Sequence, residues 1–321
     1  MPDGRFRERF PWIGGDLQTV RNYLAPPRRA LDRWPAERVE IHAADGTGDR
    51  FLAARHGPTP ECARADAPMV VLVHGLTGCE GSFYVLETAR FLLAHGISVL
   101  RLNLRGAGPS RGTCGGHYSA ASSGDIARVV EVVGGAVALV GYSLGGSIVL
   151  RYLADDGVPA RVRAAIVVST PIDLAATARR LLRPRNAIYH RWLLARMKEE
   201  ALSGAARLAP GESEAVMGAR DVVGFDDAFV APRNGFADAA DYYARCSAAF
   251  RLDGIRVPTL LIHGRNDPWI PSEAYDALAL PASGAIRLAL AAGGGHVGFH
   301  GADRETPWHN RLILRHVTGA A

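Results

Sequence analysis

A serine with glycines two residues away on either side, Gly141-Tyr142-Ser143-Leu144-Gly145, joins the apolar run "AVALVGY" to the helix-like segment "LGGSIVLRYLAD". This G-x-S-x-G spacing suits a nucleophile on a sharp strand-to-helix turn, where a Cβ at either flanking position would crowd the backbone. The helix that follows aims its first N–H groups at the reaction centre. A serine needs a base to take its proton, and the base needs an acid to orient it. Asp267 stands just past the apolar run "TLLIHG", in "HGRNDPWIP", and His296 follows the next run, in "AGGGHVGF". Serine, acid and histidine in that order, each at the carboxyl end of a β-like run, point to a triad Ser143–Asp267–His296. Asp173 is the alternative acid, although it is equally placed to cap a helix. His300 is the alternative base, without the glycine run that precedes His296. Asp125 reads as an ordinary residue of a helix N-terminus.

An attacked carbonyl also needs donors for its developing oxyanion. One is the backbone N–H of Leu144, the residue after the nucleophile. The other belongs to the loop "HGLTG" (74–78), with Leu76 N–H as first choice and Thr77 as fallback. His74, in the same loop, reads as a brace rather than a base. The chemistry implied is acyl transfer through an acyl-enzyme on Ser143.

Such a site needs strands to carry it. From residue 38 onward, short β-type runs alternate with helical segments, which predicts an α/β fold with a mainly parallel sheet. "RVEIHAADG" and "FLAARHG" read as an opening hairpin; six further strands follow, the last in "AIRLALAAGGGH". The tail "PWHNRLILRHV" reads as a closing helix. Residues 172–257 break the rhythm, with helical segments and no β-like run. One of them, "AIYHRWLLARMKEEAL", is read with Ile188, Trp192 and Met197 on one side. The expected organisation is an N-terminal extension (1–37) packed on a core (38–171 and 258–321), with residues 172–257 inserted as a helical lid.

Composition narrows the possibilities. The chain has 321 residues, 48% of them hydrophobic, enough to bury a large core without staples. Its four cysteines are widely spaced, with no metal-ligand clusters, as expected of reduced thiols in the cytoplasm. The net charge of +5 comes without a long basic run; "RFRERF" (5–10) and "RRLLRPR" (179–185) are the densest basic patches. They read as solvated faces, with contact to a membrane surface or nucleic acid as the alternative. No nucleic-acid-binding motif accompanies them. The start, Met-Pro-Asp-Gly-Arg, shows no secretory signal. Residues 132–150 carry no charge but include five glycines, Tyr142 and two serines, which excludes a membrane span.

The combination HG…GxSxGG…HGxxDP…GGH resembles the α/β-hydrolase family over residues 38–318. A narrower likeness extends over almost the whole chain. "GGDLQTV" (14–20) resembles the "HLQT" stretch of YheT-like hydrolases, and "FDDAFVAPRNGFADAADYYARCS" (225–247) resembles their late insertion segment. The resemblance implies an eight-stranded, mostly parallel sheet flanked by helices, and a carboxylesterase or lipase-like activity without a cofactor. The substrate would be a small-molecule ester or a lipid-like one. Two departures stand out: Asp16 replaces the family's usual His, and "RGAGPSRGTCGGHYSA" (105–120) differs from the usual loop form.

Rival chemistries fit less well. "RGAGPSRG" follows a strand, but its G-x-G-x-x-x-G spacing and Pro109 do not suit a dinucleotide site. A non-catalytic relative would be expected to lack a triad residue. An epoxide hydrolase or dehalogenase would need a carboxylate at position 143. Transacylase, thioesterase and amidase chemistry share the same machinery and stay open, because the pocket chooses leaving group and acceptor.

Overall fold

The computed structural model describes residues 6–24, 31–155, 157–302 and 306–319. The opening Met1–Arg5, and residues 25–30 of the expected N-terminal extension, lie outside them. An N-terminal helix α1 (Gly15–Leu24) precedes the hairpin β1 (Glu37–His42) and β2 (Arg50–His56). Then come β3 (Met69–Val73), α2 (Phe83–Ala94), β4 (Val99–Leu102), α3 (Ser123–Val133), β5 (Val137–Tyr142), α4 (Leu144–Ala154) and β6 (Val162–Val168). After a long helical interval, β7 (Thr259–Gly264) and β8 (Ile286–Ala291) lead to the closing helix Trp308–Thr318. The eight strands form one sheet in the order β1-β2-β4-β3-β5-β6-β7-β8. Strand β2 is antiparallel to both β1 and β4, and every other pair is parallel.

The strand residues explain the layering. Parallel strands joined by helical crossovers are covered on both faces, so their sequences are apolar throughout. All six residues of β5 are buried. Its alternate side chains feed two cores: Ala138, Val140 and Tyr142 pack with α2 and the closing helix. Val137 and Leu139 pack with α3 and α4 on the other face. No helix among the described residues is long and apolar enough to cross a membrane. The charge-free stretch 132–150 is instead the end of α3, a buried strand, a turn and the start of α4.

Between β6 and β7 the described residues hold helices and no strand. They include α5 (Leu174–Leu181), α6 (Ala187–Ala201), α7 (Glu212–Gly218) and α8 (Val222–Phe225), followed by a π-helical turn and the helix Ala239–Cys246. One expectation fails here. Ile188, Trp192 and Met197 do not share a side of α6: Met197 is buried with Leu193 and Leu194, whereas Ile188 and Trp192 face out. The nine-residue step from 188 to 197 is two and a half turns, which puts the two residues on opposite faces.

Candidate active site

Ser143 occupies the turn from β5 to α4 with φ 49° and ψ −126°, a conformation that costs a non-glycine residue about 1–3 kcal/mol. Hydrogen bonds on both sides hold it there. Its N–H donates to Val168 O at 2.9 Å and its carbonyl accepts from Gly146 N at 2.8 Å. The flanking glycines are sterically required. A Cβ on Gly141 would lie 2.6 Å from Gly146 Cα, and one on Gly145 would run into the carbonyl oxygens of His74 and Val73.

The structure brings Ser143, His296 and Asp267 together at the carboxyl ends of β5, β8 and β7. His296 Nε2 lies 3.1 Å from Ser143 Oγ, and Nδ1 lies 3.0 Å from Asp267 Oδ2. Asp267 is fully buried, and its other oxygen accepts N–H groups from Trp269 at 2.8 Å and Ile270 at 3.0 Å. Burial works against its charge, but the His296 ring, its hydrogen bond and the Ile270 N–H outweigh that and hold the pKa below the usual carboxylate value. An ionised Asp267 only accepts, so it places the imidazole proton on Nδ1 and leaves Nε2 free to take the serine proton. The Trp269 indole stacks on the imidazole, with centroids 4.5 Å apart and planes 18° apart.

The alternative residues are engaged elsewhere. Asp173 caps α5, accepting from Ala176 N at 2.8 Å. The His300 ring meets Asn22 Nδ2 at 3.2 Å, and burial lowers its pKa to about 3. His74 is fully buried with its pKa lowered to about 4 by burial. Its Nε2 accepts from Leu104 N at 3.1 Å and its Nδ1 reaches Gly75 O at 2.8 Å, so the neutral ring braces the 74–78 loop. Within that loop Thr77 N–H is spent on Tyr118 OH, at 2.7 Å. Leu76 and Leu144 line the cavity beside Ser143, with no acceptor for their N–H groups among the described residues.

Several contacts around this cluster escaped the sequence reading. Thr19 Oγ1 accepts the His296 N–H at 2.8 Å. Gln18 grips the next turn at both ends: Oε1 accepts from His300 N at 2.7 Å and Nε2 donates to His300 O at 3.1 Å. Both come from the "LQT" of α1, so that motif clamps the histidine loop. Tyr118, from the unusual 105–120 loop, donates to the buried Glu200 at 2.9 Å. Asp16 joins α1 to the helical interval, accepting from Arg185 at 2.7 Å and Tyr189 OH at 3.0 Å. The family likeness had singled out "LQT", Asp16 and the 105–120 loop, but not the contacts they make.

Ser143 opens into a cavity of about 680 Å³. Leu181, Leu193, Met197, Phe225 and Phe229 supply an apolar wall from the helical interval. Another part of the lining is polar, where Arg105 binds Asp45, Asp49 and Asp125 at 2.7, 2.7 and 2.6 Å. Asp125 is thus an ion-pair partner as well as a first-turn helix residue. No group of three or more His, Cys, Asp or Glu among the described residues is arranged to hold a metal ion.

Known proteins share this architecture. The family model for the α/β-hydrolase fold matches residues 68–303. YheT of Escherichia coli, named as a candidate esterase, is 31% identical over 73% of this chain and 71% of its own length. A medium-chain fatty acid ethyl ester synthase/esterase of Saccharomyces cerevisiae is 26% identical over 80% of this chain and 63% of its own. Mouse phospholipase ABHD3 is 27% identical over 72% of this chain and 58% of its own. Among solved structures, the Pyrococcus furiosus esterase Pf2001 superposes with a TM-score of 0.60 at 16% identity, covering 89% of this chain and 92% of that one. The likeness to Pf2001 is one of fold. With the family match and YheT, it leads to one conclusion: this chain is a member of the α/β-hydrolase family, in the group that contains YheT.

Proposed function

We propose that this protein is a serine hydrolase that cleaves carboxylic esters through an acyl-enzyme on Ser143. The carrying observation is the hydrogen-bonded relay from Ser143 Oγ through His296 to Asp267, set at the wall of a largely apolar cavity. In the first step His296 Nε2 takes the serine proton as Oγ bonds to the ester carbonyl carbon. The N–H groups of Leu76 and Leu144 stabilise the oxyanion, and Asp267 stabilises the imidazolium. Collapse expels the alcohol with the proton from His296. Water, deprotonated in turn by His296, then releases the acid. The names of YheT and the yeast relative support the ester class.

In this reading residues 172–257 act as a cap whose apolar wall receives the acyl chain, on a core formed by 38–171 and 258–321. The four cysteines are unpaired, which fits a reducing compartment such as the cytoplasm.

The test is hydrolysis of p-nitrophenyl esters across acyl lengths, wild type against Ser143→Ala, with fluorophosphonate labelling of both. The wild type should turn over and label, and the variant should do neither. Equal rates, or labelling at another residue, would remove Ser143 from its role.

A second reading, acyl transfer to an alcohol, draws on the synthase in the yeast relative's name. Added ethanol would then divert product from free acid to ethyl ester. Unchanged acid yield would exclude it.

A further inference from the structure

Helix α6 is apolar on two faces. Its inner face, with Leu193 and Met197, lines the cavity that contains Ser143. Its outer face presents Ile188 at 76% exposure and Trp192 at 42%. Of the twelve large apolar side chains exposed among the described residues, eight lie on just two stretches, residues 10–24 and 182–192. Phe10, at 82%, and Leu24, at 66%, are the most exposed on the first. The two stretches touch. Asp16 bonds to Arg185 and Tyr189, and the rings of Tyr23 and Trp192 meet edge to face at 6.3 Å. Exposed apolar side chains are normal singly, but a concentration on one face marks a docking surface.

Charge decides what docks there. Residues 174–198 carry six arginines and Lys198 without one Asp or Glu. Arg180, Arg185 and Arg196 find carboxylates at Glu273, Asp16 and Glu199. The exposed Arg183 and Arg191 have no carboxylate partner among the described residues. A second copy docked by two-fold symmetry would set these cations against themselves. Nucleic acid would satisfy the arginines but leave the aliphatic side chains in water. An anionic lipid bilayer answers both features, with headgroups for the arginines and an acyl boundary for Ile188, Trp192 and Leu24.

We propose that the outer face formed by α1 and the 182–192 stretch docks on an anionic membrane surface. Cavity and bilayer are then separated by little more than one helix, about 10 Å. For the reaction, this deepens the esterase reading: the substrate is an ester carried in or on lipid. Docking itself stands apart from that reading, because it is measured without turnover.

The experiment is co-sedimentation with phosphatidylcholine vesicles, with and without phosphatidylglycerol, at low and high salt. The wild type and Ser143→Ala should partition alike, onto the phosphatidylglycerol vesicles only, with most binding lost in high salt. Arg183→Gln with Arg191→Gln should weaken partitioning about twenty-five-fold, at about five-fold per cation. Ile188→Ser should weaken it severalfold. The arginine and Ile188 variants should keep the wild-type rate on a soluble ester and the wild-type circular dichroism. Absence of partitioning, or partitioning that these substitutions leave unchanged, overturns the proposal. So does a change of sedimentation state on Ile188→Ser without vesicles, which would make the face an interface between copies. Duplex DNA binding that the arginine substitutions abolish, in a protein that ignores vesicles, would overturn it too.

Discussion

The two sides of the site are held by different means. On the histidine side, α1 grips the loop after β8 with neutral groups: Thr19 Oγ1 on the His296 N–H, and the Gln18 amide on both polar atoms of the His300 backbone. On the side of the 74–78 loop, the chain of support runs Thr77 N–H to Tyr118 OH to Glu200 Oε2, and Arg111 completes it at 3.3 Å. That second chain ends on a titratable group of α6. The α1 groups that hold the histidine loop are thus uncharged, and Asp16 links that helix to the helical interval only from outside the loop, while the 74–78 loop is braced through a carboxyl of α6 itself. The contrast teaches that two loops of one site can be braced by different chemistry, one by neutral groups of α1 and the other through a buried carboxyl of α6.

The largest expected effect tests the relay common to both sides. Asp267→Asn keeps the shape but offers an N–H to Nδ1, forcing the wrong tautomer, and should lower kcat by about 10⁴-fold. A small loss would reassign the acid. Its depressed pKa has a thermodynamic consequence with a definite sign. Asp267 contributes stability above its unfolded-state pKa and loses it as pH falls through the still lower folded value. Thermal melts in the acid range should therefore be less pH-dependent in the Asn variant.

Next in size comes the charged chain. Tyr118→Phe leaves Thr77 N–H without its acceptor and Glu200 Oε2 without its donor, for a destabilisation of about 1–3 kcal/mol. The rate should drop about ten- to a hundred-fold, mostly in kcat, if the 74–78 loop supplies an oxyanion donor. An unchanged kcat would detach that loop from the chemistry. Thr19→Val strands the His296 N–H in the same way and should cost about 1–3 kcal/mol with a milder kcat loss. Thr19→Ser should restore both, and a Ser variant as slow as Val would mean that the methyl group, not the hydrogen bond, holds the loop.

The smallest effect separates the two sides most cleanly. Burial raises the Glu200 pKa, against the pull of Tyr118 and Arg111. A carboxyl raised on folding binds its proton more tightly in the native state, so stability declines as pH rises from the unfolded-state pKa to the folded one. Glu200→Gln should flatten that decline in melting temperature and leave the Thr19 side untouched. A full decline in the variant would place its source elsewhere.

Ser143, Asp267 and His296 were legible because each is announced locally, by a turn glycine or a loop just past a β-like run. The eight strands were legible for a similar reason: strands covered on both faces are apolar throughout, and β5 needs no context to be recognised. Thr19 was not, since nothing near residue 19 says that its hydroxyl meets a backbone 277 residues away. Tyr118 and Glu200 meet across 82 residues and look like an ordinary loop and helix residue. Ile188 was wrongly grouped with Met197 on one side of a helix, whereas the nine-residue step between them turns Ile188 outward.

By itself, then, the sequence determined the strand series, the strained serine turn and the order of serine, acid and histidine. All of these follow from backbone sterics and hydrophobic periodicity acting over a few residues. Only the tertiary structure decided which loops are braced, by which distant side chains, and which apolar face of α6 meets the cavity. Those outcomes depend on how separate elements pack, and packing brings together residues whose local sequences carry no record of one another.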